Sequence, residues 1–215
     1  MSADRVIMLG ASGHARVLCE TLSLAQVELS GFIAPDDDSR LAGVPHLGGD
    51  EALADLDVAH TVLVNGVGSV ASPTHRAEIY DAAVARGFRF LEVRDPSALV
   101  RPGAVLGAGV QVLAGAIVNS GATLGDDVIV NSGAIVEHDC RLGDHVHVSP
   151  GAVLGGDVTV GAQTHVGLGA RVLQGVTIGA GCTIGAGAVV TRDVADGMVA
   201  VGVPAVSRPP SGHDS

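Results

Sequence analysis

The chain has 215 residues, enough for one large domain or two small ones. Hydrophobic residues make up 47% of it and aromatic residues only 2%, so its core must be built from Val, Ala, Leu and Ile. All 12 basic residues are Arg, and the formal net charge of −11 disfavours non-specific binding to nucleic acid or to an anionic membrane. No apolar run approaches the roughly 18 residues of a membrane span. The first ten residues carry an Asp and a five-residue strand-like run and do not read as a signal peptide. With three cysteines, two of them (Cys140 and Cys182) at small-residue positions of the repeat described below, reduced thiols and a cytoplasmic location are expected.

Residues 1–94 read as an α/β unit. Arg5 to Leu9 is a short buried strand that runs into Gly10-Ala-Ser-Gly-His14 and then into a helically spaced segment, Arg16 to Leu22. Leu29 to Ile33 and Thr61 to Asn65 read as further strands, the latter followed by the turn Gly66-Val-Gly68. Thr74 to Arg86 reads as an amphipathic helix and Phe88 to Val93 as a last strand. Strands alternating with helices imply a small Rossmann-like parallel sheet. The Gly10–Gly13 turn is too short for the dinucleotide fingerprint, which wants a third Gly. A generic anion loop at a helix N-terminus and a plain tight turn both remain open.

From Val100 to Val190 an aliphatic residue falls on every sixth position, sixteen in a row. Four residues after each of these anchors stands a small or β-branched residue, from Val110 to Val194. One residue after the anchor Gly is frequent, as at Gly107, Gly125, Gly155 and Gly161, which suggests positions where the chain must turn. A six-residue period is the mark of a β-helix, in which no single unit can bury its own apolar face. The β-helix is expected over 95–205, with Asp95-Pro96 as its boundary, and 206–215 as a mobile tail.

If three six-residue units make one triangular coil, residues 18 apart stack at strand spacing. One column then reads Ser120, His138, Gly156, Gln174, Arg192, and another Ile129, His147, His165, Thr183. His138 falls at a corner with Asp139 beside it, and a carboxylate near an imidazole can fix its tautomer and raise its basicity. Gly156, one coil along, could offer an N–H to a developing oxyanion. His165 reads as solvent-facing decoration. Three histidines drawn from more than one column do not imply a metal site, so none is expected.

The hexapeptide rows, the Gly10-Ala-Ser-Gly-His14 loop, Glu137-His-Asp-Cys140, His147-Val-Ser149 and Gly202-Val-Pro-Ala205 together resemble the bacterial sugar acetyltransferases with a left-handed β-helix. More narrowly, the chain is similar to the nucleotide-sugar N-acetyltransferases of the bacillosamine and perosamine pathways, relatives of the sialic acid O-acetyltransferases. That resemblance implies a homotrimer with acetyl-CoA as cosubstrate between neighbouring β-helices. It implies His138 as catalytic base, Asp139 as its support and Gly156 as oxyanion donor. His147, Leu168 and Ala186 match coenzyme contacts. Ser12, Gly13, His14, Gly66 and Asn131 match residues at the nucleotide-sugar. Relatives that act on uridine-linked sugars carry Asp-Asp directly after the second strand. Here Ala34-Pro35 follows it and the acids come later, as Asp36-Asp-Asp38, which favours a guanosine-linked sugar. The expected reaction is acetylation of the C4 amine of a nucleotide-linked 4-amino-4,6-dideoxyhexose, GDP-perosamine foremost, for surface polysaccharide synthesis. Arg171 and Arg192 are candidates to meet the coenzyme phosphates. A sugar O-acetyltransferase and a non-catalytic β-helix are the rival expectations.

Overall fold

The computed structural model describes residues 5–35, 41, 43–69 and 73–210. Asp36 to Asp38 and the last five residues of the expected tail lie outside the described residues. Among the described residues no helix is long and apolar enough to cross a membrane.

The N-terminal unit runs β1 (Arg5–Leu9), α1 (Gly13–Leu24), β2 (Gly31–Ile33), β3 (Thr61–Asn65), α2 (Thr74–Ala85) and β4 (Arg89–Phe90). The four strands form one parallel sheet in the order β2-β1-β3-β4. Its two faces pack separately. Met8, Leu18, Leu22, Phe32 and Val64 bury one, and Ile7, Leu9, Leu63, Tyr80 and Phe90 the other. The expected last strand divides in two. Arg89–Phe90 stays in this sheet, whereas Val93–Arg94 pairs with Gln111 and Val112 and so already belongs to the β-helix. Val93 and Leu113 nevertheless complete the core beneath α1, so the two units share one apolar contact.

The β-helix has three parallel faces of two-residue strands. The first face carries Ile129–Val130, His147–Val148, His165–Val166 and Thr183–Ile184. The second carries Ile117–Val118, Ile135–Val136, Val153–Leu154 and Arg171–Val172. The third carries Thr123–Leu124, Arg141–Leu142, Thr159–Val160 and Thr177–Ile178. Every anchor from Val112 onward points inward and is buried, together with the small residue four positions later. Neighbouring coils pair with an offset of 18 residues until the end, where Ile178 pairs Val194 and Thr183 pairs Val199, an offset of 16. The stack through His138, Gly156 and Gln174 therefore does not run on in register to Arg192. Val199–Val201 then turns back as an antiparallel pair with Val206–Arg208, so the expected tail begins as a strand that closes the last coil.

The left-handed turn position is not the one expected. Positive φ falls three residues after the anchor, at every coil corner from Gly109 to Gly187. The glycines one residue after the anchor answer a different constraint, the close approach of the next coil. A Cβ on Gly161 would lie 2.4 Å from the backbone N of Ala180, and one on Gly155 2.7 Å from that of Gln174. Backbone cannot move aside there as a side chain could.

Gly161→Ala should destabilise the protein by about 1–3 kcal/mol through overpacking, or about 2–4 °C in Tm for each kcal/mol in a chain of this size. Gly181 has a φ of +63° with open space where its Cβ would be. Asn tolerates the left-handed region, so Gly181→Asn should keep Tm close to that of the parent. Thermal denaturation followed by circular dichroism checks both.

Candidate active site

Two groups of the expected site residues form, on different corners of the β-helix. The first is a cleft of about 480 Å³ between the N-terminal sheet and the first face, lined by Gly10, Ser12, Gly13, His14, Val67–Ser69, Asn131 and His147. β1 ends at Gly10, whose φ of +86° turns the chain into α1. The carbonyl of Ser12 accepts from Arg16 N–H, but its side chain caps nothing and donates instead to the Gly66 carbonyl (3.2 Å). The first N–H groups of α1 thus open onto the cleft without a side-chain cap, the arrangement that receives a phosphate. Gly66 serves the cleft from behind. A Cβ there would lie 2.6 Å from Met8 Sδ and 2.8 Å from the Leu9 carbonyl, so β3 can pass β1 only without one.

Hydrogen bonds set the protonation of both cleft histidines. Gln111 Nε2 donates to the Asn65 carbonyl (2.8 Å), so Gln111 Oε1 faces His14 and accepts from its Nε2–H (2.7 Å). Burial, with Arg76 nearby, lowers the His14 pKa to about 4. Asn131 Oδ1 accepts from Ser132 N–H (2.8 Å), which leaves Asn131 Nδ2 to donate to His147 Nε2 (3.0 Å). His147 must then carry its proton on Nδ1, where it meets the Ser69 hydroxyl. Burial, and then the neighbouring His165, lowers the His147 pKa to about 3. The His165 ring stands edge-on to His147, with centroids 4.9 Å apart, and its Nε2 meets Ser149 Oγ at 3.2 Å. It is half-buried rather than simply solvent-facing.

The second group stands between the second and third faces. His138 Nδ1–H donates to Asp139 Oδ2 (2.8 Å), with both side chains exposed. That hydrogen bond raises the His138 pKa above its ordinary value. Asp139 occupies one of the left-handed corner positions (φ +62°), most of which are Gly. Its backbone conformation turns the carboxylate toward the preceding imidazole. Gly156 lies directly beneath the ring, where a Cβ would come within 2.5 Å of His138 Nε2. In the neutral ring the Nδ1 proton faces Asp139, and Nε2 is left without one beside the glycine. Leu168 and Ala186 are exposed on the corner that also carries Asn131, and Gly187 N–H donates to the Leu168 carbonyl between adjacent coils. Arg171 and Arg192 are both exposed.

One cluster at the domain junction was not anticipated. Arg76 of α2, 1% exposed, pairs with the fully buried Asp127 of the β-helix (Nη2–Oδ1 2.6 Å), and His145 Nδ1 reaches the other carboxylate oxygen at 3.2 Å. Asp127 and His145 are adjacent members of one left-handed corner column. The visible signal was the replacement of Gly by Asp and His at that position in successive coils.

Residues 121–156 match the bacterial transferase hexapeptide family (six repeats), and residues 5–83 match the PglD N-terminal domain. The chain is similar to the acetyltransferase domain of PglB from Neisseria gonorrhoeae in complex with acetyl coenzyme A. Identity is 35% over 96% of this chain and 100% of that one, with a TM-score of 0.87. It is similar to PerB from Caulobacter crescentus in complex with CoA and GDP-perosamine, at 38% identity over 96% and 98% of the two chains and a TM-score of 0.88. WeeI from Acinetobacter baumannii, at 22% identity over 96% of this chain and 100% of that one, shares the fold (TM-score 0.84). The comparison with curated proteins found no match.

The histidines should separate in an NMR titration. Between about pH 5 and 8, the range in which an ordinary imidazole titrates, His147 should stay neutral with its proton on Nδ1. His138 should titrate above the ordinary histidine value. Nitrogen shifts of the imidazole rings report both.

Proposed function

The chain belongs to the family of hexapeptide-repeat sugar acetyltransferases that includes the PglB acetyltransferase domain and PerB, and on that basis we propose the reaction it carries out. It transfers an acetyl group from acetyl-CoA to the C4 amine of a nucleotide-linked 4-amino-4,6-dideoxyhexose. GDP-perosamine is the favoured acceptor and a UDP-amino sugar the next. The observation that carries this function is the His138, Asp139 and Gly156 corner, in a chain 38% identical to a protein solved with CoA and GDP-perosamine.

The amine attacks the thioester carbonyl directly. His138 Nε2 takes the amine proton as the C–N bond forms, and the Asp139 carboxylate at Nδ1 stabilises the imidazolium that results. The tetrahedral intermediate then collapses with cleavage of the C–S bond, and the expelled coenzyme thiolate takes the proton back from the imidazolium, leaving CoA–SH, the amide and neutral His138. Gly156 leaves room beside Nε2 for the tetrahedral centre and offers its N–H to the oxyanion. His14 and His147, held neutral far below working pH, bind and orient but do not serve as the base. The nucleotide-sugar diphosphate is assigned to the α1 N-terminus, with Ser12, Gly13, His14, Gly66 and Asn131 around it. The coenzyme is assigned to Leu168 and Ala186, with His147 where the coenzyme path meets the cleft.

The cleft lining contains none of the second group. The face between the two groups supports a site shared between subunits. Its outward positions are Leu99, Ile117, Ile135, Val153 and Val189, interrupted by Arg171, whereas the third face begins with Val105 and then shows Thr123, Arg141, Thr159 and Thr177. Three copies packed through this apolar face would carry His138 of one chain toward the cleft of the next. We therefore assign a homotrimer. The free thiols of Cys19, Cys140 and Cys182 suit a cytoplasmic enzyme of surface polysaccharide synthesis.

A general base of this kind contributes about 10²–10⁴-fold, so His138→Ala should lower kcat at least about tenfold with the trimer intact. The base must be unprotonated, so kcat/KM should fall as pH drops through the raised His138 pKa. In Asp139→Asn the raising carboxylate is gone, so this acid limb should move to lower pH and the plateau should drop. Unchanged turnover in His138→Ala would remove it as the base. Assays with amino and hydroxy acceptors, and a thermal-shift panel of GDP-, UDP- and dTDP-amino sugars, test the acceptor, because a ligand selective for the native state raises Tm.

A further inference from the structure

The junction cluster is more than a contact between domains. Arg76 Nη1 donates to the carbonyls of Asn65 (2.9 Å) and Val67 (2.7 Å), on either side of Gly66, while Nη2 pairs with Asp127. Asn65 Nδ2 reaches the same carboxylate (3.2 Å), and Asn65 Oδ1 accepts from Val67 N–H (3.2 Å). The Asn65 carbonyl also accepts from Gln111, which sets the tautomer of His14. Two residues on, Ser69 holds His147. The guanidinium thus ties the β-helix to the one loop, 65–69, that touches Ser12, His147 and the cleft itself.

Burying such a pair is a poor route to stability, since well-packed apolar residues of similar volume often do as well or better. They could not grip two carbonyls and a carboxylate from one planar fork. We propose that Arg76 and Asp127 are positioning residues for the nucleotide-sugar. They fix the 65–69 loop against the β-helix, and with it the spacing between the α1 N-terminus on one wall of the cleft and Asn131 and His147 on the other. Neither residue lines the cleft. This role rests on the acetyltransferase function proposed above.

The test uses the whole 215-residue chain. Arg76→Met combined with Asp127→Asn removes both charges and leaves neither buried alone, and Asn suits the left-handed backbone at 127. KM for the GDP-amino sugar should rise about tenfold or more, since small misplacements of binding groups are expensive. KM for acetyl-CoA, which also depends on His147, should rise by a smaller factor, and kcat at saturation should stay near wild type. Arg76→Lys keeps the charge and loses the fork, and should raise the same KM by a smaller factor. The ring-nitrogen signals of His14 and His147 should change in the double variant while those of His138 do not. If the folded double variant keeps its KM for the nucleotide-sugar and its His14 and His147 signals, the positioning role is overturned. If the double variant does not fold, Arg76→Lys decides by the same two readouts. If the wild-type protein acetylates no amino sugar, the proposed function fails, and the histidine signals still decide whether Arg76 and Asp127 order the cleft.

Discussion

The structure depends on one constraint, that each coil of the β-helix before the shortened last one must return to register after 18 residues. Backbone hydrogen bonds between coils can form only if every strand meets its counterpart one coil away, and the anchors can be buried only if they do so facing inward. The constraint reaches into the side chains. Where the residue one after the anchor is Gly it lies under the next coil, where a Cβ would in most cases strike backbone, and residues three after the anchor take a left-handed turn from Gly109 to Gly187. A chain that obeys these rules has little freedom left except at its outward positions and its corners. Those are where the chemistry is found.

The corners show how a regular scaffold holds irregular groups. Five of the left-handed positions carry Asp127, Asp139, His145, Asp157 and Gln163 instead of Gly. Each accepts a costlier backbone conformation. At Asp139 the return is a carboxylate on His138 Nδ1. At Asp127 and His145 it is a buried charge cluster that anchors the N-terminal unit. Burial then sorts the imidazoles. His138, exposed and beside an acid, becomes more basic, while His14 and His147, enclosed among donors and neutral groups, become far less so. The same side chain is made more basic in one place and is held as a neutral hydrogen-bonding group in another.

Much of this was legible in the order of residues. A period needs no tertiary information, so the β-helix, its inward anchors and the stacking of His138 on Gly156 follow from counting. The parallel α/β unit followed from alternating apolar runs and turn residues, with errors at the ends. The last strand was drawn too long because Phe88 to Val93 is continuously apolar or extended, although the chain changes sheets within it. The glycines after the anchors were read as turns because a Gly in sequence shows permissiveness without saying whether φ or space requires it. The offset of 16 in the last coil went unseen because the anchors run on without interruption to Val190, before the shortened corner.

By itself, then, the sequence determined everything that repeats: the coil, its faces, its buried rows and the residues that share a corner. Only the tertiary structure decided what the two units do to each other. The contacts that shape the cleft join residues far apart in the chain, Arg76 with Asp127, Ser69 with His147 and His14 with Gln111, at separations of 51, 78 and 97 residues. No local period relates such positions. Their meeting depends on the angle at which the α/β unit docks on the first face, and that angle is set by packing around Val93 and Leu113 and by one buried ion pair.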